Sequence, residues 1–230
     1  MIKTNSMRKM KCMALFLCVA MVFGGCSTMN NKVKGGIIGG GAGATLGAII
    51  GGIAGKGKGA AIGAAVGAAV GGGAGVLIGN KMDKKAAEAA RIEGAQVQQV
   101  TDSNGLKAVQ VTFNSGILFG FNSSTLSNTA KQSLGDFAKV LKSDPTIDIA
   151  IVGHTDKVGT FEANQKVSGQ RASAVQSYLQ SCGVSPTQFK TVEGVGYSQY
   201  NESQTAEQNR RVDIFMYASE QMIKNAEAGF

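Results

Sequence analysis

The C-terminal half of this 230-residue sequence predicts an α/β fold, and three observations carry that expectation. β-Branched, alternating stretches recur at 147–152, 191–196 and 212–217, each short enough for a buried strand. Leu126 to Leu141, ahead of the first stretch, and Phe161 to Cys182, between the first and second, space their apolar residues as helices do. Strand and helix patterns alternate in chain order, which points to helices packed on one sheet, an α/β sandwich.

The elements follow in order. Asn80 to about Glu93 is rich in alanine and charge, and reads as a solvated linker helix. Val97 and Val100, then Val109, Val111 and Phe113, flank Asp102-Ser103-Asn104-Gly105, a hairpin signal. Ile117-Leu118-Phe119 reads as a strand. In the helix after it, Leu134, Phe137, Ala138 and Leu141 share one face, and Pro145 ends the pattern. The strand Ile147 to Val152 runs into Gly153-His154-Thr155-Asp156, and the next helix places Val167, Ala174, Val175, Tyr178 and Leu179 at helical spacing. Gly183 and Pro186 break the chain before the last two strands, and a short polar tail follows Ser219.

The N-terminal third is different. Lys3, Arg8, Lys9 and Lys11 precede an apolar run from Cys12 to Phe23, the shape of a secretory signal over residues 1–25. The run closes on Val22-Phe23-Gly24-Gly25-Cys26, which resembles a bacterial lipobox with Cys26 as the lipidated residue. Ser27 after it implies, by that resemblance, an outer-membrane destination. Residues 26–34 form a short linker. From Gly35 to Gly79 every fourth residue is glycine, interrupted by Lys56-Gly57-Lys58. A four-residue period lays a glycine stripe along a helix, against which a second backbone can pack closely. Each arm, of about 21 residues, is about 31 Å long as a helix, near the thickness of a hydrocarbon core. Residues 35–79 therefore read as a glycine-zipper helical hairpin that inserts into a membrane or self-associates into a homo-oligomer. Glycine costs about 1 kcal/mol per residue in a helix exposed to water, so the hairpin needs such a partner.

Charge and composition exclude several classes. The net charge of +8 belongs to the chain as a whole, while residues 108–218 carry nine basic and nine acidic side chains. A neutral domain has no footprint for a polyanion, so nucleic-acid binding is not expected. The glycine block is no phosphate loop, because Gly57 stands where Ser or Thr must follow Lys56. One histidine is too few for a zinc hydrolase, and nothing forms a nucleophile elbow. The expectation is a non-enzyme with no metal and no cofactor.

The motif at the centre of the domain is Gly153-His154-Thr155-Asp156, then Gly159, Asn164, Ser168, Arg171 and Ala172, with Asn209-Arg210-Arg211-Val212 near the end. This pattern resembles the OmpA-like C-terminal domain, a periplasmic peptidoglycan-binding module, over roughly Val109 to Tyr217. Phe119-Gly120-Phe121-Asn122 lacks two acidic residues usual in the family opening, Val167 replaces a leucine, and the segment before Asn209 is about three residues short.

The resemblance implies a βαβαβ-type sandwich with a four-stranded mixed sheet and helices on one side, occupying 108–218. Residues 80–107 lead into it and 219–230 form the tail. It also implies that the diaminopimelate of the peptidoglycan stem peptide is the partner. Asp156 would receive the ligand's ammonium and Arg171 would grip its carboxylate, with Asn164, Arg210 and the Thr155 backbone N–H as further contacts. A zwitterionic head group needs one anion and one planar donor fork, and arginine meets a carboxylate with two parallel bonds. Of Arg210 and Arg211, adjacent in an extended segment, one would serve the site and the other face solvent. Both Asp156 and Arg171 are expected at the surface. The resulting expectation is an outer-membrane lipoprotein, lipid-anchored with its C-terminal domain in the periplasm, that ties outer membrane to cell wall. The alternative is a glycine-zipper membrane-inserting oligomer or channel that uses the domain only as a wall anchor.

Overall fold

The computed structural model describes residues 73–102, 105–120 and 123–229. The stretch read as a secretory signal, Cys26 and the glycine series as far as Gly71 lie outside the described residues.

Within them, five strands form one mixed sheet: β1 (Ala95–Thr101), β2 (Lys107–Asn114), β3 (Ile147–Gly153), β4 (Phe189–Gly194) and β5 (Arg211–Ala218), in the order β1-β2-β5-β3-β4. β1, β2, β5 and β3 are antiparallel neighbours, whereas β3 and β4 are parallel. Parallel neighbours need a crossover, and the long helix α4 (Phe161–Ser181) supplies it. The sheet has one strand more than the four expected, because the hairpin about Asp102 pairs β1 with β2 along its whole length.

Alternation along the strands decides which face carries the helices. Val109, Val111 and Phe113 of β2, Ile147, Ile149 and Ile151 of β3, and Val212, Ile214 and Met216 of β5 form one buried cluster. Four helices close it: α1 (Gly73–Ala89), α3 (Asn128–Lys142), α4 and the C-terminal α6 (Glu220–Glu227). The opposite face gathers a smaller cluster of Val100, Ala108, Ala150, Val152, Val195 and Phe215.

Two expectations are corrected here. The stretch read as a solvated linker is the C-terminal part of α1, whose Ile78, Met82, Ala86 and Ala89 are buried in the main core. Its charges occupy the other face except for Lys85, which is buried and donates to Ser143 Oγ at 2.6 Å, so the alanine-rich composition concealed an amphipathic helix. α1 also runs unbroken through the boundary expected at 79/80, carrying Gly75 and Gly79 of the zipper series. Among the described residues no helix is long and apolar enough to cross a membrane.

The second correction concerns Ile117-Leu118-Phe119. Residues Ser115–Leu118 form a single helical turn, α2, because the Asn114 side chain accepts the Gly116 N–H and caps it. Only Phe119 is extended, in an isolated bridge to Leu126. Three other helices begin at hydroxyls that suit them: Ser127 caps α3, Thr160 caps α4 and Ser219 caps α6. The polar tail is thus a helix with Met222, Ile223 and Ala226 packed into the core.

Candidate functional site

The site forms where β3 ends and α4 begins, and two glycines let those elements meet. A Cβ on Gly153 would lie 2.2 Å from the Ser168 carbonyl oxygen, and one on Gly194 would lie 2.1 Å from the Gly169 backbone nitrogen. Any side chain at either place would push α4 off the sheet. With the helix seated, its buried positions Asn164, Ser168, Arg171, Ala172, Val175 and Leu179 make one stripe. The stripe is polar over the motif and apolar farther on, so a single helix serves both the site and the core.

Hydrogen bonds then fix the loop that presents Asp156. The Ser168 hydroxyl accepts the Gly196 N–H at 3.0 Å, and the Gly196 carbonyl accepts the Thr155 N–H at 3.0 Å. The Asn164 amide donates to Val158 O at 2.9 Å and to Thr160 O at 3.0 Å, closing the loop before α4. Asp156 Oδ1 accepts the Val158 N–H at 3.1 Å. The Thr155 N–H is therefore taken up inside the chain and is not an open donor. Its hydroxyl is buried with no hydrogen-bond partner among the described residues.

Asp156, Arg171 and Arg210 form the charged centre. Arg210 Nη1 donates to Asp156 Oδ2 at 2.6 Å, with the Arg210 side chain 41% exposed and that of Asp156 13%. Arg171 is only 8% exposed, which corrects the expectation that it lies at the surface. Its Nε donates to Ser123 O at 3.2 Å, and its guanidinium carbon stands 5.3 Å from the centre of the Phe119 ring. Among the described residues Arg171 makes no salt bridge. Its pKa is pushed down, first by burial and then by the positive Arg210, while Asp156 acts in the opposite sense. A planar donor fork is thus held over an aromatic ring, largely desolvated, with no hydrogen bond from its outer nitrogens among the described residues.

Arg211, expected to be the solvent-facing neighbour, is instead paired: its Nε donates to Asp213 Oδ2 at 3.0 Å. Asp213 is 1% exposed, and it also accepts from Thr112 Oγ1 at 2.6 Å and stands 3.1 Å from His154 Nε2. Burial would raise its pKa, but His154, Arg211 and Thr112 together hold the carboxyl below the usual carboxylate range. His154, itself 2% exposed, is thereby tied to the sheet.

Sequence reasoning placed Asn209 in the motif but gave it no role. Asn209 is fully buried, accepts the Asn201 N–H at 2.8 Å and donates to Asn201 O and Thr205 O, both at 3.0 Å. With the capping box of Thr205 and Gln208 it sets the loop that delivers Arg210. The Thr-x-x-Gln spacing was the available signal. Among the described residues no group of three or more His, Cys, Asp or Glu is placed to hold a metal ion.

Comparison with known proteins bears on this geometry. A family model described as the OmpA family matches residues 118–213, and one described as YMGG-like Gly-zipper matches residues 7–83. The peptidoglycan-associated lipoprotein of Pseudomonas putida is 34% identical over 139 residues, spanning 59% of this chain and 80% of that protein. The chain belongs to the OmpA family. Outer membrane protein A of Bordetella avium is 36% identical over 126 residues. There the match covers 53% of this OmpA-family chain and 64% of the Bordetella protein, less than two thirds of that relative's length. Among solved structures, a MotB-like protein from Desulfovibrio vulgaris superposes with a TM-score of 0.50 at 21% identity, over 64% of this chain and 92% of that one. At that identity the likeness concerns the fold alone, the mixed sheet with its helices.

Proposed function

We propose that this chain is a lipid-anchored protein of the outer membrane whose OmpA-like domain, in the periplasm, holds the diaminopimelate of the peptidoglycan stem and so tethers membrane to wall. One observation carries the reading. Arg171 is buried, aligned by Ser123 and Phe119, and makes no salt bridge among the described residues, while the carboxylate of Asp156 lies near enough to act on its charge. A desolvated guanidinium in that condition favours an anionic guest, and an adjacent acid admits the ammonium of a zwitterion. Family membership and the name of the Pseudomonas relative support the same class of partner. Binding, not bond cleavage, is the task such a pair can perform.

In this reading residues 1–25 are removed on export, Cys26 takes the lipid, and residues 35–79 act at or in the membrane as a glycine zipper. The domain of about residues 108–218 is extended toward the N-terminus by β1 and α1. Firm attachment through Cys26 follows from several acyl chains on one residue, at about 0.8 kcal/mol per buried methylene.

Co-sedimentation of the full-length protein with isolated sacculi tests the wall half of the proposal. The parent should pellet, free diaminopimelate should release it, and Arg171→Met, which keeps the buried stem but loses the fork, should stay in the supernatant. A parent that never pellets, or a variant that pellets equally, overturns it. Metabolic acyl labelling tests the anchor: Cys26→Ser should lose the label.

A further inference from the structure

We propose that Arg210 is a built-in counter-ion that occupies the ammonium seat on Asp156, so that the site selects its guest by the carboxylate and is nearly indifferent to the ammonium. The inference rests on the wall-binding reading above and concerns how that same site discriminates.

The geometry leaves Asp156 with little to offer. Oδ1 is engaged by the Val158 N–H and Oδ2 by Arg210 Nη1 at 2.6 Å, and the side chain is 13% exposed. An arriving ammonium must displace Arg210 or share an oxygen with one of the two donors already on the carboxylate, Arg210 or the Val158 N–H. Either way its gain is offset by a charge-assisted bond weakened or lost, so the net contribution is small. The seat is filled beforehand by a cation of the protein's own.

The carboxylate meets the reverse situation. Two guanidinium groups, Arg171 and Arg210, share one acid, and the cluster is left with one uncompensated positive charge. Arg171 cannot turn to solvent, because it is 8% exposed and fixed by Ser123 O and the Phe119 ring. Arg210 can adjust, because its side chain is 41% exposed. Its backbone bonds, N–H to Ala206 O and carbonyl to the Ser115 N–H, hold the chain in place while the side chain moves. A carboxylate arriving between a rigid fork and a movable one relieves a charge that nothing else in the cluster relieves. Losing the carboxylate therefore costs the guest far more than losing the ammonium.

Three synthetic stem tripeptides, Ala–γ-Glu–X with an amidated C-terminus, separate the two contributions. With X as diaminopimelate the free end of the side chain carries both charges; with 2-aminopimelate it carries only the carboxylate; with lysine, only the ammonium. Each competes against a fluorescent diaminopimelate tripeptide for the full-length protein, read by anisotropy. For the parent, the diaminopimelate and aminopimelate peptides should agree within about threefold, and the lysine peptide should be weaker by more than about tenfold, the scale of one charge-assisted bond. In Arg210→Met the acid is vacated, and the aminopimelate peptide should fall about tenfold behind diaminopimelate. Arg210→Lys, which refills the seat, should restore the parental ranking.

If the parent loses as much with aminopimelate as with lysine, or if Arg210→Met leaves the ranking unmoved, Arg210 is no surrogate and the inference fails while wall binding stands. It fails in the same way if sacculi bind but no tripeptide competes. If neither sacculi nor tripeptides bind, the wall-binding reading falls and takes the inference with it.

Discussion

His154 Nε2 lies 3.1 Å from Asp213 Oδ2, with both side chains 2% exposed, so the only histidine of the chain is spent on a buried carboxylate of the adjacent strand. Asp213 faces Val152 across the β3–β5 pair and Thr112 across the β2–β5 pair, which makes it the polar tie of three central strands. Asp213→Ala should destabilise the domain by about 3–5 kcal/mol, because it strands Arg211 and His154 without their acid. The pH dependence follows from the depressed carboxyl. A lowered folded pKa contributes stability that is fully present above the ordinary carboxylate range and lost as pH falls toward the folded pKa. Asp213→Asn should therefore flatten the acid limb of a stability profile measured by urea unfolding between neutral pH and pH 3, about the lower edge of that range.

Gly153→Ala and Gly194→Ala should each cost about 3 kcal/mol or more, beyond the usual range for an overpacked side chain, because the new methyl group meets backbone atoms that have no rotamer to change. Gly73→Ala is the control. Nothing lies within 4 Å of the Cβ it would carry, so its thermal unfolding should be unchanged or slightly improved. Equal midpoints for all three variants would contradict the close approach of α4 to the sheet.

The elements that sequence reasoning located well are those whose own residues dictate them. β3, α4 and β5 carry their periodicity openly, and α3 shows its apolar face and the Pro145 that follows its end. What stayed hidden depends on tertiary contact. The apolar face of α1 is built largely from alanine and is recognisable only once the sheet lies against it. Arg171 looks like a surface charge until Ser123 and Phe119, about fifty residues earlier in the chain, cover it. Arg210 closes a helical turn and Arg211 opens β5, and no spacing rule names Asp156 and Asp213 as their acids.

Asp148 offers a test with the opposite sign. Its carboxyl is pushed up to about 6, mainly by burial, with Lys190 3.5 Å away opposing the shift only in part. A raised folded pKa means that the folded state holds its proton more tightly than the unfolded chain. Stability is then undiminished below the ordinary carboxylate pKa and declines as pH rises through about 6. Asp148→Asn should stabilise the protein by about 1 kcal/mol at pH 8, a value discounted for partial exposure, and by nothing at pH 4, about the ordinary carboxylate pKa. Denaturant midpoints at the two pH values check it.

Asn164 separates a residue that touches a ligand from one that positions another. Both hydrogens of its amide are committed to Val158 O and Thr160 O, and Val158 in turn donates its N–H to Asp156. The amide thus has no hydrogen left for a carboxylate, and an influence on carboxylate binding would pass through the loop. Asn164→Ala removes two hydrogen bonds at a buried site and should cost about 1–3 kcal/mol of stability. It should also speed amide exchange at Val158 and weaken retention on sacculi, with the diaminopimelate and lysine tripeptides losing affinity by the same factor. A residue in direct contact with the carboxylate would behave otherwise: its loss would spare the lysine peptide and leave the Val158 amide protected. Hydrogen exchange and tripeptide competition on this one variant therefore give opposite patterns for the two roles.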